Sequence, residues 1–183
     1  VRSPADGETV LLAGRPLLFI DTPGHARHHH CIWDARSAGW FSGDTFGLSY
    51  RETDSAAGPW VMPTSSPVQF EPEALHQSIA RLLAARPHQM YLTHYGAVGG
   101  SVDVVQRLAS LLLGQVDAMV AMARAVAPSP ERHALLTAGL QAITRRQLQQ
   151  HGVADVEASL RSLALDTELN AQGLAVWLDR STA

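Results

Sequence analysis

Three turns carry the side chains most able to do chemistry. His25 closes Asp21-Thr22-Pro23-Gly24-His25, Asp44 sits in Phe41-Ser42-Gly43-Asp44-Thr45, and His94 in Met90-Tyr91-Leu92-Thr93-His94-Tyr95-Gly96. Each follows a short apolar run and lies next to or near a glycine. An apolar strand stopped by such a turn delivers the next side chain to a sheet edge on rigid backbone, which is where a metal ligand or catalytic base works. Imidazole nitrogen together with carboxylate oxygen suits zinc, and also iron or manganese. Ligands at strand ends need no fixed spacing in sequence, and the glycines let the backbone turn tightly while the side chain points outward. Each turn alone is ordinary. The ordered set of His, Asp and His points to convergence on one metal site.

Other candidates carry less. In His28-His29-His30 the strand period of two lets at most two side chains share a face. The run leads into Cys31-Ile32-Trp33, so it reads as the start of a strand, with His29 the best placed to orient a ligand from behind. His76, His88, His133 and His151 fall on helical stretches or turns and read as surface residues without partners. Ser42 and Ser49 lack the Gly-x-Ser-x-Gly elbow of a serine hydrolase. Gly96-Ala97-Val98-Gly99-Gly100 lacks the lysine and the full glycine pattern of a phosphate-binding loop.

The elements that must position these residues follow from periodicity. Thr9 to Ala13 and Pro16 to Asp21 form a hairpin-like pair of strands joined at Gly14-Arg15, followed by strands at Cys31-Ile32-Trp33 and Trp40-Phe41-Ser42, a meander. Arg51 to Phe70, with Gly58, Pro59, Pro63 and Pro67, shows no period; its apolar middle, Trp60-Val61-Met62, suggests that it lies over something. Pro72 opens a helix through Leu75, Ile79, Leu82 and Leu83 that ends at Pro87, and Met90 to Thr93 is a fifth strand, a crossover unit. From Gly99-Gly100 on, all reads as helix. Ser101 caps the first, with its stripe Val102, Val105, Ala109, Leu112, Leu113, Val116, Val120 and Ala123; that stripe is a core face or, on the second reading, a partner face. Ser129-Pro130-Glu131 starts the next, with Leu135, Leu136, Leu140, Ile143 and Leu148, up to Gly152; shorter helices follow near Val156 to Leu165 and Glu168 to Arg180. The chain divides into an α+β unit, residues 1–100, and an all-helical appendage, residues 101–183.

The chain has 183 residues, enough for one ordinary domain with a real core, and is 46% hydrophobic and 17% charged, the composition of a globular protein. A net charge of −3 leaves no basic stripe and disfavours nucleic acid as partner. The single cysteine, Cys31, reads as a buried reduced thiol, and no apolar run is expected to span a membrane, so a cytoplasmic location is expected. The chain opens at Val1 directly on the turn Ala5-Asp6-Gly7-Glu8, with nothing before it to form the other side of a core, so the start reads as a cut.

In this order, Thr22-Pro23-Gly24-His25, Ser42-Gly43-Asp44-Thr45 and Leu92-Thr93-His94-Tyr95-Gly96 resemble the later motifs of metallo-β-lactamase-fold hydrolases, and their wording is similar to the glyoxalase II-like branch. Asp6-Gly7-Glu8 through Ile20 resembles the strand pair that leads into the first of these motifs; the likeness covers about Asp6 to Gly96. It implies an αββα sandwich of two mixed, mainly antiparallel sheets with helices on both outer faces, of which this chain would be the C-terminal half followed by the helical appendage. It also implies that His25 binds a first divalent metal, Asp44 bridges two, and His94 binds the second. The reaction implied is hydrolysis of an ester, thioester or related bond of a small-molecule substrate by a metal-bound hydroxide. The family's first motif, His-x-His-x-Asp-His, is absent; His28 to His30 follow the second motif instead. The expectation is therefore a longer intact product with that motif upstream of Val1. The sheet face meant for the first sheet would then need a cover: the N-terminal portion, a second copy, or the tail. The alternative is a non-catalytic fragment or degenerate relative acting as a binding or oligomerisation module through its helices.

Overall fold

The computed structural model describes residues 3–65, 69–94 and 96–181. Tyr95 of the third motif and Pro67 of the long loop lie outside them. Six strands form one sheet: β1 (Thr9–Leu12), β2 (Arg15–Asp21), β3 (His30–Asp34), β4 (Gly39–Gly43), β5 (Gln89–Leu92) and β6 (Ala97–Gly99). They lie in chain order, all neighbours antiparallel except β4 and β5, which are parallel. Parallel pairing demands a crossover, and α1 (Pro72–Ala84) supplies it. The strand β6, three residues between glycines, is an addition to the five strands expected from the sequence.

Four further helices complete the chain: α2 (Val102–Arg124), α3 (Arg132–His151), α4 (Val156–Ser162) and α5 (Ala164–Ser181). Ser101 caps α2 by accepting from the Val104 N–H, and Gly152 ends α3 in the left-handed conformation at φ 78°. The turn Ser129-Pro130-Glu131 precedes α3 without a side-chain cap, and Leu135, expected on its apolar face, is 51% exposed while Leu136 and Leu140 are buried.

The register sorts the sheet into two faces. Leu18, Trp33, Trp40, Met90 and Val98 pair in sequence across five strands and pack under α1 and α2 in a core shared with Leu108, Leu112, Leu140 and Leu174. The α2 stripe is thus a core face. By length and composition α2 would suffice to cross a membrane, contrary to the sequence expectation, because its buried side and much of its flank are apolar. The opposite row, Phe19, Ile32, Phe41 and Tyr91, with Leu17 beside it, has no fully buried member. Phe41 is 47% exposed, and its ring stacks on Tyr91 at 4.8 Å. Helices therefore cover one face of the sheet and leave the other apolar and open, so the tail is not its cover.

Among its described residues the segment 51–70 has a single 3-10 turn, Arg51–Thr53, and it does lie over a core of its own. Trp60 and Met62 pack with Leu48, Leu148, Val153 and Leu163. His151, expected at the surface, is buried at the end of α3, where its Nε2 donates to the Gly58 carbonyl at 2.9 Å. His76 and His133, expected to be without partners, face Asp117 (2.9 Å) and Glu168 (3.0 Å) across helices; His88 is exposed as expected.

Candidate metal centre

The Thr22-Pro23-Gly24-His25 turn is fixed from below by α1. Ser78 Oγ donates to the Pro23 carbonyl at 2.6 Å and the Glu71 N–H to the Gly24 carbonyl at 2.8 Å. Gly24 (φ 133°) lies so close to the Leu75 backbone that a Cβ would collide with it. His25 is held by Thr64. The Thr64 carbonyl, 3.2 Å from Nδ1, can only accept, so Nδ1 carries the proton, with the Thr64 hydroxyl 2.9 Å away. That tautomer turns the Nε2 lone pair toward Asp44 Oδ2, 3.6 Å away. Thr64, inside the aperiodic loop, was not legible as a site residue; no local pattern marks it.

Asp44 is oriented through its backbone. Its N–H donates to His29 Nε2 at 3.0 Å, which makes Nε2 the acceptor and Nδ1 the donor, to Thr45 Oγ1 (2.9 Å) and Thr22 Oγ1 (3.2 Å). His29 is thus a neutral strut behind Asp44. Burial, then repulsion from His25, lowers its pKa to about 4 against the attraction of Asp44. Gly43 (φ 51°) makes room: a Cβ there would fall on the His29 ring. The network runs on into the core, where the Cys31 Sγ–H donates to the Ser42 carbonyl at 3.3 Å and lies 3.2 Å from Thr22 Oγ1; burial pushes the thiol up to about 11.

His94 follows β5, half exposed, with Nε2 3.4 Å from Asp44 Oδ1. The three residues expected to share a site therefore do meet, as two histidines flanking one carboxylate. Two donors about 2.1 Å from a tetrahedral ion stand about 3.4 Å apart, so both His–Asp separations are those of donors that could share an ion. Asp44 Oδ1 is also buried without a hydrogen-bond partner among the described residues, an orphan that a cation would satisfy. The chemistry of the donor set fits divalent metal. Among the described residues, however, no group of three or more His, Cys, Asp or Glu side chains closes around a single point. The set is two pairs sharing Asp44, and each pair would need further ligands.

These side chains open on a cavity of about 390 Å³. Thr64 and Ser65 form one wall, Leu48 and Tyr50 another, and Leu165, Asp166, Leu169 and Asn170 of α5 a third. Asn170 fastens that helix to the loop, accepting from the Ser65 N–H (2.6 Å) and donating to the Pro63 carbonyl (2.9 Å). Gly173 lies against the Ser65 backbone, where a Cβ would not fit.

No protein-family model matches the chain, and no curated protein matches it in sequence. Solved structures match its fold. A metallo-β-lactamase family protein from Thermus thermophilus aligns with a TM-score of 0.59 and 18% identity, over 98% of this chain and 49% of that one. An archaeal metallo-β-lactamase superfamily protein from Sulfolobus tokodaii aligns with a TM-score of 0.51 and 21% identity, over 92% and 49%. The chain has the mixed, mainly antiparallel sheet and C-terminal helices of about half of such a fold, and it spans about half the length of these structures.

Proposed function

We propose that this chain supplies the His25, Asp44 and His94 side of a metal-dependent hydrolase site that acts on an ester, thioester or related bond. The observation that carries the proposal is Asp44, its two carboxylate oxygens facing the Nε2 atoms of different histidines at 3.6 and 3.4 Å, one oxygen otherwise orphaned. His25 and Asp44 Oδ2 would hold one divalent ion and His94 and Asp44 Oδ1 the second, zinc first among the candidates, with iron and manganese compatible. Bound there, the metals would lower the pKa of water and polarise the scissile carbonyl. The chain's own part is positional. Thr64 fixes the His25 tautomer, His29 fixes the Asp44 backbone, and the α5 wall bounds the space in which the reacting bond would lie. The metal-bearing unit would be residues 1–100 and the substrate-side unit residues 101–183, with the boundary between β6 and α2. The remaining ligands, and the cover for Leu17, Phe19, Ile32, Phe41 and Tyr91, would come from a complementary layer; the half-length match to the solved structures supports this. The glyoxalase II-like wording of the motifs makes a thioester the first substrate to try.

Zinc titration of the full chain against a chromophoric chelator tests the reading. Uptake in the parent chain that drops at least tenfold in affinity in Asp44→Ala, and in His25→Ala and His94→Ala separately, is the expected result. Undiminished zinc affinity in Asp44→Ala would refute it.

A further inference from the structure

Most polar groups of the cavity wall are already paired with one another. Ser65 is taken by Asn170, Thr64 by His25, and the Tyr50 hydroxyl donates to Asp166 Oδ2 at 2.7 Å. Beyond the candidate ligands, the wall then presents Leu48, Leu165, Leu169 and one carboxylate, Asp166. Leu165 and Leu169 stand one turn apart on α5, on the same side of the helix. They are 69% and 40% exposed, whereas Ala171, Leu174 and Trp177 of the same helix enter the core. Among the described residues no arginine lines the cavity, and the chain contains no lysine. The wall is also rigid, since Asn170 and Gly173 lock α5 onto the loop that holds His25.

Resting on the hydrolase reading above, we infer that the cavity accepts the uncharged, apolar part of its substrate against Leu165 and Leu169. Asp166 excludes substrates that carry a carboxylate or phosphate at that end. Leu165 and Leu169 offer apolar contact, and each methylene fully buried there strengthens binding by about fourfold. An anion at the Leu165–Leu169 end would lose its water beside Asp166, with no arginine among the described residues of that wall to receive it.

Calorimetric titration of the full chain tests this, metal-stripped and zinc-loaded, with straight-chain amides from butanamide to octanamide. Suberic acid monoamide, of octanamide's length with a terminal carboxylate, is the charged probe. Affinity should rise at least twofold per added methylene, and suberic monoamide should bind at least tenfold more weakly than octanamide. Leu165→Asp and Leu169→Asp should each weaken octanamide at least tenfold, and Asp166→Asn should recover most of the loss seen with suberic monoamide. The leucines are exposed, so both variants should keep the parent's urea midpoint, which confirms that they fold. Equal affinity along the amide series, suberic monoamide binding as tightly as octanamide, or octanamide binding indifferent to both leucine variants would each overturn the inference. Zinc titration of the same samples separates the two readings. Octanamide binding together with zinc affinity undiminished in Asp44→Ala leaves the apolar wall standing and removes the hydrolase. Zinc uptake without amide discrimination removes the apolar wall alone.

Discussion

Replacing Asn170 with alanine tests the link between the helical tail and the metal-bearing turns. The Asn170 side chain accepts from the Ser65 N–H at 2.6 Å and donates to the Pro63 carbonyl at 2.9 Å, and both Asn170 and Ser65 are buried. Truncation leaves a backbone donor and a backbone acceptor without partners in a site too closed for free hydration. Each such group costs about 1–3 kcal/mol, so the variant should lose about 3 kcal/mol. Against a stability of about 5–15 kcal/mol, that is a large fraction. Equilibrium urea unfolding followed by tryptophan fluorescence reads it directly, as a lower midpoint at unchanged slope. The loosened segment also carries Thr64, so zinc affinity should fall in the variant under conditions where it remains folded. A loss under about 1 kcal/mol would mean that water replaces the side chain and that the tail does not hold the loop. Unchanged zinc affinity in a destabilised variant would refute the mechanical link to His25.

Thr64→Val removes the hydroxyl beside His25 Nδ1 and keeps the shape; zinc affinity should fall about tenfold with little change in the urea midpoint. Gly43→Ala forces a side chain into φ 51° and onto the His29 ring, and should destabilise by about 2 kcal/mol or more and weaken zinc binding together. His29 is neutral when folded because its pKa is lowered to about 4, whereas the unfolded chain takes up a proton near its ordinary value of 6.5. Stability should therefore decline as pH falls from 6.5 to about 4 and receive no further loss from this group below that, at less than about 1.4 kcal/mol per pH unit. Urea midpoints at pH 7 and 5 check this: the decline should be shallower in His29→Gln, and an identical decline would exclude His29 as its source. Phe41→Lys should leave the chain's thermal midpoint within about 1 °C, because the side chain is half exposed, while reducing self-association seen by light scattering. Association that persists would place the sticky surface elsewhere.

Much of the sheet was legible because its signals are local. The apolar run from Leu17 to Ile20, the Gly14 hairpin and the Pro72 helix start each depend on a few neighbouring residues. The strand β6 was not, since three residues between glycines carry no period and form a strand only because β5 offers an edge. Leu135 and Leu136 are equally apolar, and only the packing of α3 against α2 and α5 decides which turns inward. The candidate ligands could be named from their turns, whereas Thr64 and the α5 wall could not. Thr64 matters through contacts 39 and 20 residues back, and Asn170 through contacts 105 and 107 residues back.

That distance has a mechanical consequence. Thr64 of the aperiodic loop braces His25 at Nδ1 and also donates its hydroxyl to the Asp44 carbonyl at 3.3 Å, while Asp44 has a second brace in His29 from within the sheet. The loop is in turn braced by α5, through Asn170 and Gly173, and α5 also carries the apolar wall. A displacement of α5 would therefore move the substrate wall and Thr64 together, loosening His25 at Nδ1 and Asp44 at its carbonyl, while Asp44 keeps its N–H bond to His29. Substitutions in the tail should disturb the His25–Asp44 pair more than the Asp44–His94 pair. Two-site zinc titrations of Asn170→Ala would register this as one step weakened more than the other. Equal weakening of both steps would instead mean that the sheet and the tail move as a single body.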